Sequence, residues 1–352
     1  MNRTLVDKLA RALLYEGYVL YPYRPSVKNS QRWTFGGIYP KAWSDAQDGT
    51  DSCAMQTECL VSGTDQAKLR IIVRFLHLTD RKVGELSTPL DELPSDGDPE
   101  YRLVQFLQLG DASYQAWQEA EEREIDLGEV EFSDLLRQPQ NVPFSYPSRH
   151  TIEPLRESDR IKAILIRDQQ PINGTVEISA SRIFVDLFKL TIRITNETQL
   201  AELGSRDQAL MQSLISTHTL LGVEDGDFVS LTDPPDIYTG EARACRNIGA
   251  WPVLVGDGVQ RDTILSSPII LYDYPQLAPE SPGDLFDSTE IDEILTLRIL
   301  TLTDDEKRAA AGVDDRVRDL LSRTESLARD QLMNLHGAVR GLRPVAQEQH
   351  NE

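Results

Sequence analysis

The chain has 352 residues, 40% of them hydrophobic and 26% charged, which suits a protein of about two domains with real apolar cores. Asp and Glu outnumber Lys and Arg by 57 to 36, a formal net charge of -21. Such a surface repels phosphate backbones and anionic membranes, so nucleic-acid binding is not expected, and the partners it suits are a protein with a basic face or divalent cations.

No apolar run approaches the roughly 20 residues that span a bilayer, so no membrane span is expected. The first residues, MNRTLVDKLARALLYEG, carry charges among their apolar positions and do not form a signal peptide. Cys53, Cys59 and Cys245 make an odd number without a CxxC, as in a reducing compartment. These features predict a cytoplasmic protein without cofactors.

In chain order, the first element is a short helix capped by Thr4, with Asp7 as box partner, an apolar stripe through Leu5, Leu9 and Leu13, and a stop at Gly17. Residues 18–40 hold two aromatic clusters around a basic tip of Arg24, Lys28 and Arg32. Met55–Val61 and Leu69–Leu78 have strand character, the second with strong alternation of Leu69, Ile71, Val73 and Phe75 around Arg70 and Arg74. Leu86–Pro99 has loop composition, Tyr114–Asp126 fits an acidic helix, and Val130–Arg137 a strand followed by a turn. Residues 139–150 are expected as a linker between an N-terminal α/β domain (1–138) and a second domain (151–287).

In that second domain Ile161–Ile166, Gly174–Ala180, Ile183–Asn196 and Phe228–Leu231 are strand candidates, which suggests an antiparallel sandwich. Arg206–Gly222 fits a helix through Leu210, Leu214 and Leu221, and Asp225-Gly226-Asp227 a turn. The triplets at Asn173 and Asn196 are expected to be turns. Cys245–Gly256 fits a turn and a strand, and Ser266–Tyr272 a last strand. Helices are expected over 288–342, then a polar tail at 343–352. The fold class is therefore α+β and β-rich.

Most sequence signatures of catalysis are missing. There is no G-x-S-x-G, no phosphate loop, no H-E-x-x-H and no EF-hand run. What remains is composition at two places. Tyr21, Tyr23, Arg24, Arg32 and Trp33 gather the residue types enriched at protein interfaces. Tyr272, Asp273 and Tyr274 lead into a Pro-rich, acidic segment with Glu280, Asp284, Asp287, Glu290, Asp292 and Glu293. Both are assigned as partner-binding, with no catalytic residue and no metal site. The alternative is a metal-dependent hydrolase at 273–287, with Asp273, Asp284, Asp287 and His218 as ligands. On the bland reading Asp284 and Asp287 merely favour a helix N-terminus, and His218 is a satisfied buried histidine.

Three segments, LLYEGYVLYPYRPSVKNSQRWTFGGIYP, MQTECLV and SSPIILYDYPQLAPESPGDLFDSTEIDEILTLRILTLTDDEK, together resemble a family of uncharacterised proteins associated with gene clusters for nickel–iron uptake hydrogenases. The resemblance implies a non-enzymatic accessory or structural protein that binds a hydrogenase subunit or a maturation factor. It transfers no catalytic residue.

Overall fold

The computed structural model describes residues 3–14, 36–110, 112–276, and positions 303, 304, 307, 318, 321, 322 and 324–326. In order, the elements are α1 (Arg3–Leu14), α2 (Lys41–Ala46), β1 (Ala54–Leu90), β2 (Tyr101–Val104), β3 (Phe106–Leu109), β4 (Ala112–Gln115), β5 (Trp117–Glu131), α3 (Phe132–Arg137), β6 (Gln140–Tyr146), β7 (Arg149–Glu157), β8 (Arg160–Gln169), β9 (Ile172–Arg182), β10 (Leu187–Asn196), α4 (Arg206–Leu210), β11 (Ile215–Val229), α5 (Thr239–Ala244), β12 (Trp251–Leu254) and β13 (Thr263–Ser267).

One strand organises the rest. β1 runs for 37 residues and takes different partners along each edge. On one edge Ala54–Ser62 pairs with β10, Lys68–Arg81 with β5 and Val83–Leu86 with β2. On the other, Leu60–Leu76 pairs with β11, and Asp80–Leu90 with β8. All of these pairings are antiparallel, and they join β1 to an 11-stranded sheet with β12 at one edge and β6 at another. The two strands expected at 55–61 and 69–78 are thus parts of one. The junction between them is a bulge: between the pairs Gly63↔Gly226 and Lys68↔Glu224, residues 64–67 oppose Asp225 alone. Asp225 takes a left-handed φ of 60°, so the expected Asp225-Gly226-Asp227 turn is instead a kink inside β11.

The alternation of β1 explains its position. Leu69, Ile71, Val73 and Phe75 point into the main core with Val176, Ile178, Ile192, Leu221 and Phe228. Ile72 points to the opposite face, where α1 lays Val6, Leu9 and Leu13 over it together with Leu220 and Leu265. Each such buried aliphatic side chain contributes about 2 kcal/mol. Arg74, on the same face as Ile72, meets Asp7 of α1 at 2.8 Å. Asp7 therefore anchors the helix to the sheet instead of serving as a capping-box partner, and Thr4 lies inside the helix rather than capping it.

Four expectations are corrected. The acidic segment after Tyr114 is not helical but forms β4 and β5. Its carboxylates sit opposite arginines: Glu124 pairs directly with Arg74, and Asp126 and Glu119 reach Arg70 and Arg81. Cross-strand ion pairs stabilise a strand that composition alone would assign to a solvated helix. The expected helix at 206–222 is one short turn, α4, with a Ser205–Gln208 capping box, followed by β11. β11 is buried on both faces, so it lacks the alternation that marks a one-sided strand. Residues 140–146, expected within the linker, form β6, and β1 pairs with β8, β10 and β11 across the expected domain boundary. After Glu131 the chain forms α3 rather than extending a strand to Arg137, and Phe132 stacks on Phe188 at 5.1 Å between ring centres. Smaller shifts follow the same logic: β1 extends through Leu90 into the expected loop, and β13 ends at Ser267, before Tyr272.

Neither Asn triplet lies in a turn. Asn173 is within β9, and Asn196 is fully buried at the end of β10. The Asn196 amide donates to the carbonyls of Ile38 and Gln212, at 2.9 and 2.8 Å.

Candidate functional site

The segment after β13 is the one expected interaction site that the structure describes. Ile269 and Leu271 turn inward to the apolar cluster under α1. Ile270 and Tyr272 turn outward, 72% and 87% exposed. This alternation is that of an extended chain with one anchored side. Trp251, which opens the neighbouring edge strand β12, is 42% exposed.

Asp273 holds the segment in place. One carboxylate oxygen accepts from the backbone N–H of Leu254 at 2.8 Å. The other accepts from the Ser230 hydroxyl at 2.5 Å and from the Thr232 hydroxyl at 2.8 Å. Tyr274 then donates its backbone N–H to the carbonyl of Leu254 at 2.7 Å, with a left-handed φ of 58°, and its ring packs on the main core. The three residues expected to act together therefore divide the work. Tyr272 is presented to solvent, Asp273 is tied internally, and Tyr274 is a partly buried anchor. Asp273→Ala should lower the unfolding free energy by about 2 kcal/mol and speed amide exchange over 268–274, read by hydrogen-exchange mass spectrometry.

His218 is far from that role. It lies in β11 opposite Arg74, completely buried. Its Nδ1–H donates to the Ser216 carbonyl at 2.7 Å, and Nε2 has no partner among the described residues. Burial pushes its pKa down to about 4, with Arg74 adding to the fall. The ring is therefore a neutral, half-satisfied core group rather than a fully satisfied one. Asp284 and Asp287, the other members of the alternative metal site, lie outside the described residues, as do Tyr21, Tyr23, Arg24, Arg32 and Trp33. Among the described residues no group of three or more His, Cys, Asp or Glu is placed to hold a metal ion. Cys59 is buried in the main core and burial pushes its thiol well up, which suits a packing role.

Two clusters were not visible in the sequence. The first is a charged belt where β1 leaves the apolar core. His77, Thr79 and Arg81 follow Phe75 on the inward face, and all three are buried. Arg81 donates to Glu119 at 2.9 Å and to the Gln115 carbonyl, and Arg167 reaches Glu119 at 2.7 Å and Glu153 at 2.7 Å. Glu121 accepts from Arg123 and Arg149. The second centres on Asp168, which accepts from Lys82 Nζ at 2.8 Å and from His150 Nδ1 at 2.6 Å. His150 Nε2 faces Asp98 at 3.3 Å. The hydrogen bond to Asp168, reinforced by its charge and by Asp98, raises the His150 pKa and outweighs the opposing desolvation. Only pairing across the sheet brings these positions together, so no local motif announces them.

Among the described residues no helix is long and apolar enough to cross a membrane. Neither a family model nor a curated protein matches the chain.

Proposed function

We propose that this chain works by binding another protein through the surface formed by Trp251, Ile270 and Tyr272. The observation that carries the reading is the division of labour around Asp273. A carboxylate with three internal hydrogen bonds fixes a segment whose outward residues, Ile270 and Tyr272, are large and mostly exposed. Preorganised aromatic and aliphatic side chains on a rigid support are the usual anchors of protein interfaces.

The occupant this surface suits is a protein with an apolar centre and a basic rim. The net charge of -21, and the six carboxylates between Glu280 and Glu293 that follow Tyr274 in sequence, supply the complementary field. The resemblance to hydrogenase-associated proteins makes a nickel–iron hydrogenase subunit or maturation factor the first partner to try.

The test uses the full chain recovered from its native host, as wild type and as Ile270→Ala/Tyr272→Ala. Both residues are exposed, so stability should stay within about 0.5 kcal/mol of wild type. The variant should bind the recovered partner at least about tenfold more weakly, and raising the salt should weaken wild-type binding. Equal affinity of the two proteins for that partner would remove this surface from the account.

A further inference from the structure

The connection from β1 to β2, residues 91–100, makes no backbone hydrogen bond to another element among the described residues. Its two ends are secured by other means. Asp91 meets Arg160 at 3.2 Å, Leu93 packs on a small apolar cluster with Tyr101 and Ile152, and Pro99 is buried. Between these anchors residues 94–98 are exposed, with a left-handed φ of 75° at Gly97. Among the described residues their one hydrogen bond or ion pair joins Asp98 to Nε2 of His150 on β7, at 3.3 Å.

His150 faces a carboxylate with each ring nitrogen. Nδ1 meets Asp168 at 2.6 Å, and Asp168 turns its other oxygen to Lys82 at 2.8 Å. Lys82 also approaches Asp80 at 3.5 Å. The charged groups around the ring are therefore Asp168 of β8, Lys82 and Asp80 of β1, and Asp98 of the connection, while the neighbouring Arg149 turns to Glu121. A neutral imidazole carries one N–H, and only the imidazolium donates from both nitrogens. The shorter bond to Asp168 keeps the proton on Nδ1. Deprotonation therefore falls on Nε2, and it replaces a charge-assisted bond to Asp98 with a lone pair facing a carboxylate.

We propose that His150 is a pH-operated latch: its imidazolium holds residues 94–98 against β7, and loss of the Nε2 proton releases them while Leu93 and Pro99 stay in place. The carboxylates beside the ring favour its charged form, so release falls on the alkaline side of an ordinary histidine. The latch is separate from the surface at Trp251, Ile270 and Tyr272, and neither proposal depends on the other.

Spin labels on Ser95→Cys, in the exposed stretch, and on Glu177→Cys, exposed on β9, read the latch in the full chain by double electron–electron resonance. Cys53 and Cys245 are half-buried and are replaced by Ser in this background, whereas Cys59 is buried and stays. The distance distribution should be narrow at about pH 6 and at least about twice as broad at about pH 8.5. Its midpoint should coincide with the titration of His150, followed by NMR among the chain's five histidines. His150 and Asp98 are both exposed, so their variants should fold. His150→Gln, which does not titrate, and Asp98→Ala should remove the pH dependence. Asp98→Asn supplies an amide that accepts from the charged ring and donates to the neutral one, so its distribution should stay narrow at both pH values. The latch is overturned if the width is the same at both pH values without these substitutions, if its midpoint departs from the His150 titration, if His150→Gln or Asp98→Ala preserves the change, or if Asp98→Asn broadens as its parent does.

Discussion

Acidification from pH 7 to 4.5 is expected to remove on the order of 2–3 kcal/mol of stability for each of two buried histidines, His77 and His218. Both are completely inaccessible, and burial is the largest cause of a pKa pushed down to about 4 in each. The geometry fixes the tautomers. Nε2 of His77 donates to the Gln170 carbonyl at 2.8 Å and leaves Nδ1 bare, while His218 donates from Nδ1 and leaves Nε2 bare. A proton added to either of these nitrogens is buried without an acceptor among the described residues. The charges facing them do not rescue it. Arg123 and Arg149 oppose protonation of His77, with Glu121 a partial counterweight, and Arg74 opposes protonation of His218.

The unfolded chain takes up these protons near pH 6.5 and the folded chain only near pH 4, so stability is full above 6.5 and falls through that window. His150 has the opposite sign. Its raised pKa gives a contribution complete below pH 6.5 and lost as pH rises through the folded value, and its exposure keeps that contribution small. Asp51 and Asp126 have lowered pKa values, so they remain ionised through the window and matter only below it. Two histidines together approach the whole stability margin of a typical domain. Urea unfolding at pH 7 and 4.5 reads the effect. His77→Gln and His218→Gln should each flatten the pH dependence, even where they lower stability at pH 7. An unchanged pH slope in both variants would contradict the assignment.

The second large effect concerns the charged belt. Arg81→Ala should cost about 2–3 kcal/mol, because it removes one of the two arginines on Glu119 and the guanidinium donors to the Gln115 carbonyl in a poorly solvated place. The Arg81 side chain is 8% exposed and donates to both groups. Arg102→Ala should cost under about 1 kcal/mol, although Arg102 approaches Glu85 still more closely, at 2.6 Å. The difference is solvent: the Arg102 side chain is 75% exposed. Similar losses for the two variants, measured by chemical unfolding, would show that Arg81 does not bear the load assigned to it. The belt also marks where β1 passes from the main core to the smaller cluster of Val83, Leu155, Ala163 and Leu165. A polar layer between two apolar ones fixes strand register, because a one-residue slip would place charges in the core.

How much of this was legible depended on whether the signal was local. The alternation Leu69, Ile71, Val73, Phe75 announced its strand, and the runs at 161–166 and 174–180 fell within β8 and β9. β5 misled because its acids find arginines some 38–56 positions away, and spacing along the chain does not show that. β11 misled because burial on both faces erases the period of two. The interest of Tyr272, Asp273 and Tyr274 was visible in composition. Their separate roles were not, since they depend on Ser230, Thr232 and Leu254, 19–43 residues earlier.

The most direct measurement of the central claim is site-specific photocrosslinking in the native host, with p-benzoylphenylalanine in place of Tyr272 and, separately, of Val185. The two residues are equally exposed, at 87%, and lie on different segments, Tyr272 after β13 and Val185 between β9 and β10. Irradiation should give a single discrete adduct from position 272 and none from 185. The crosslinked protein, once purified, should bind wild type in a salt-sensitive manner and Ile270→Ala/Tyr272→Ala at least about tenfold more weakly. No adduct at 272, or the same adducts from both positions, would contradict a binding surface at this edge of the sheet.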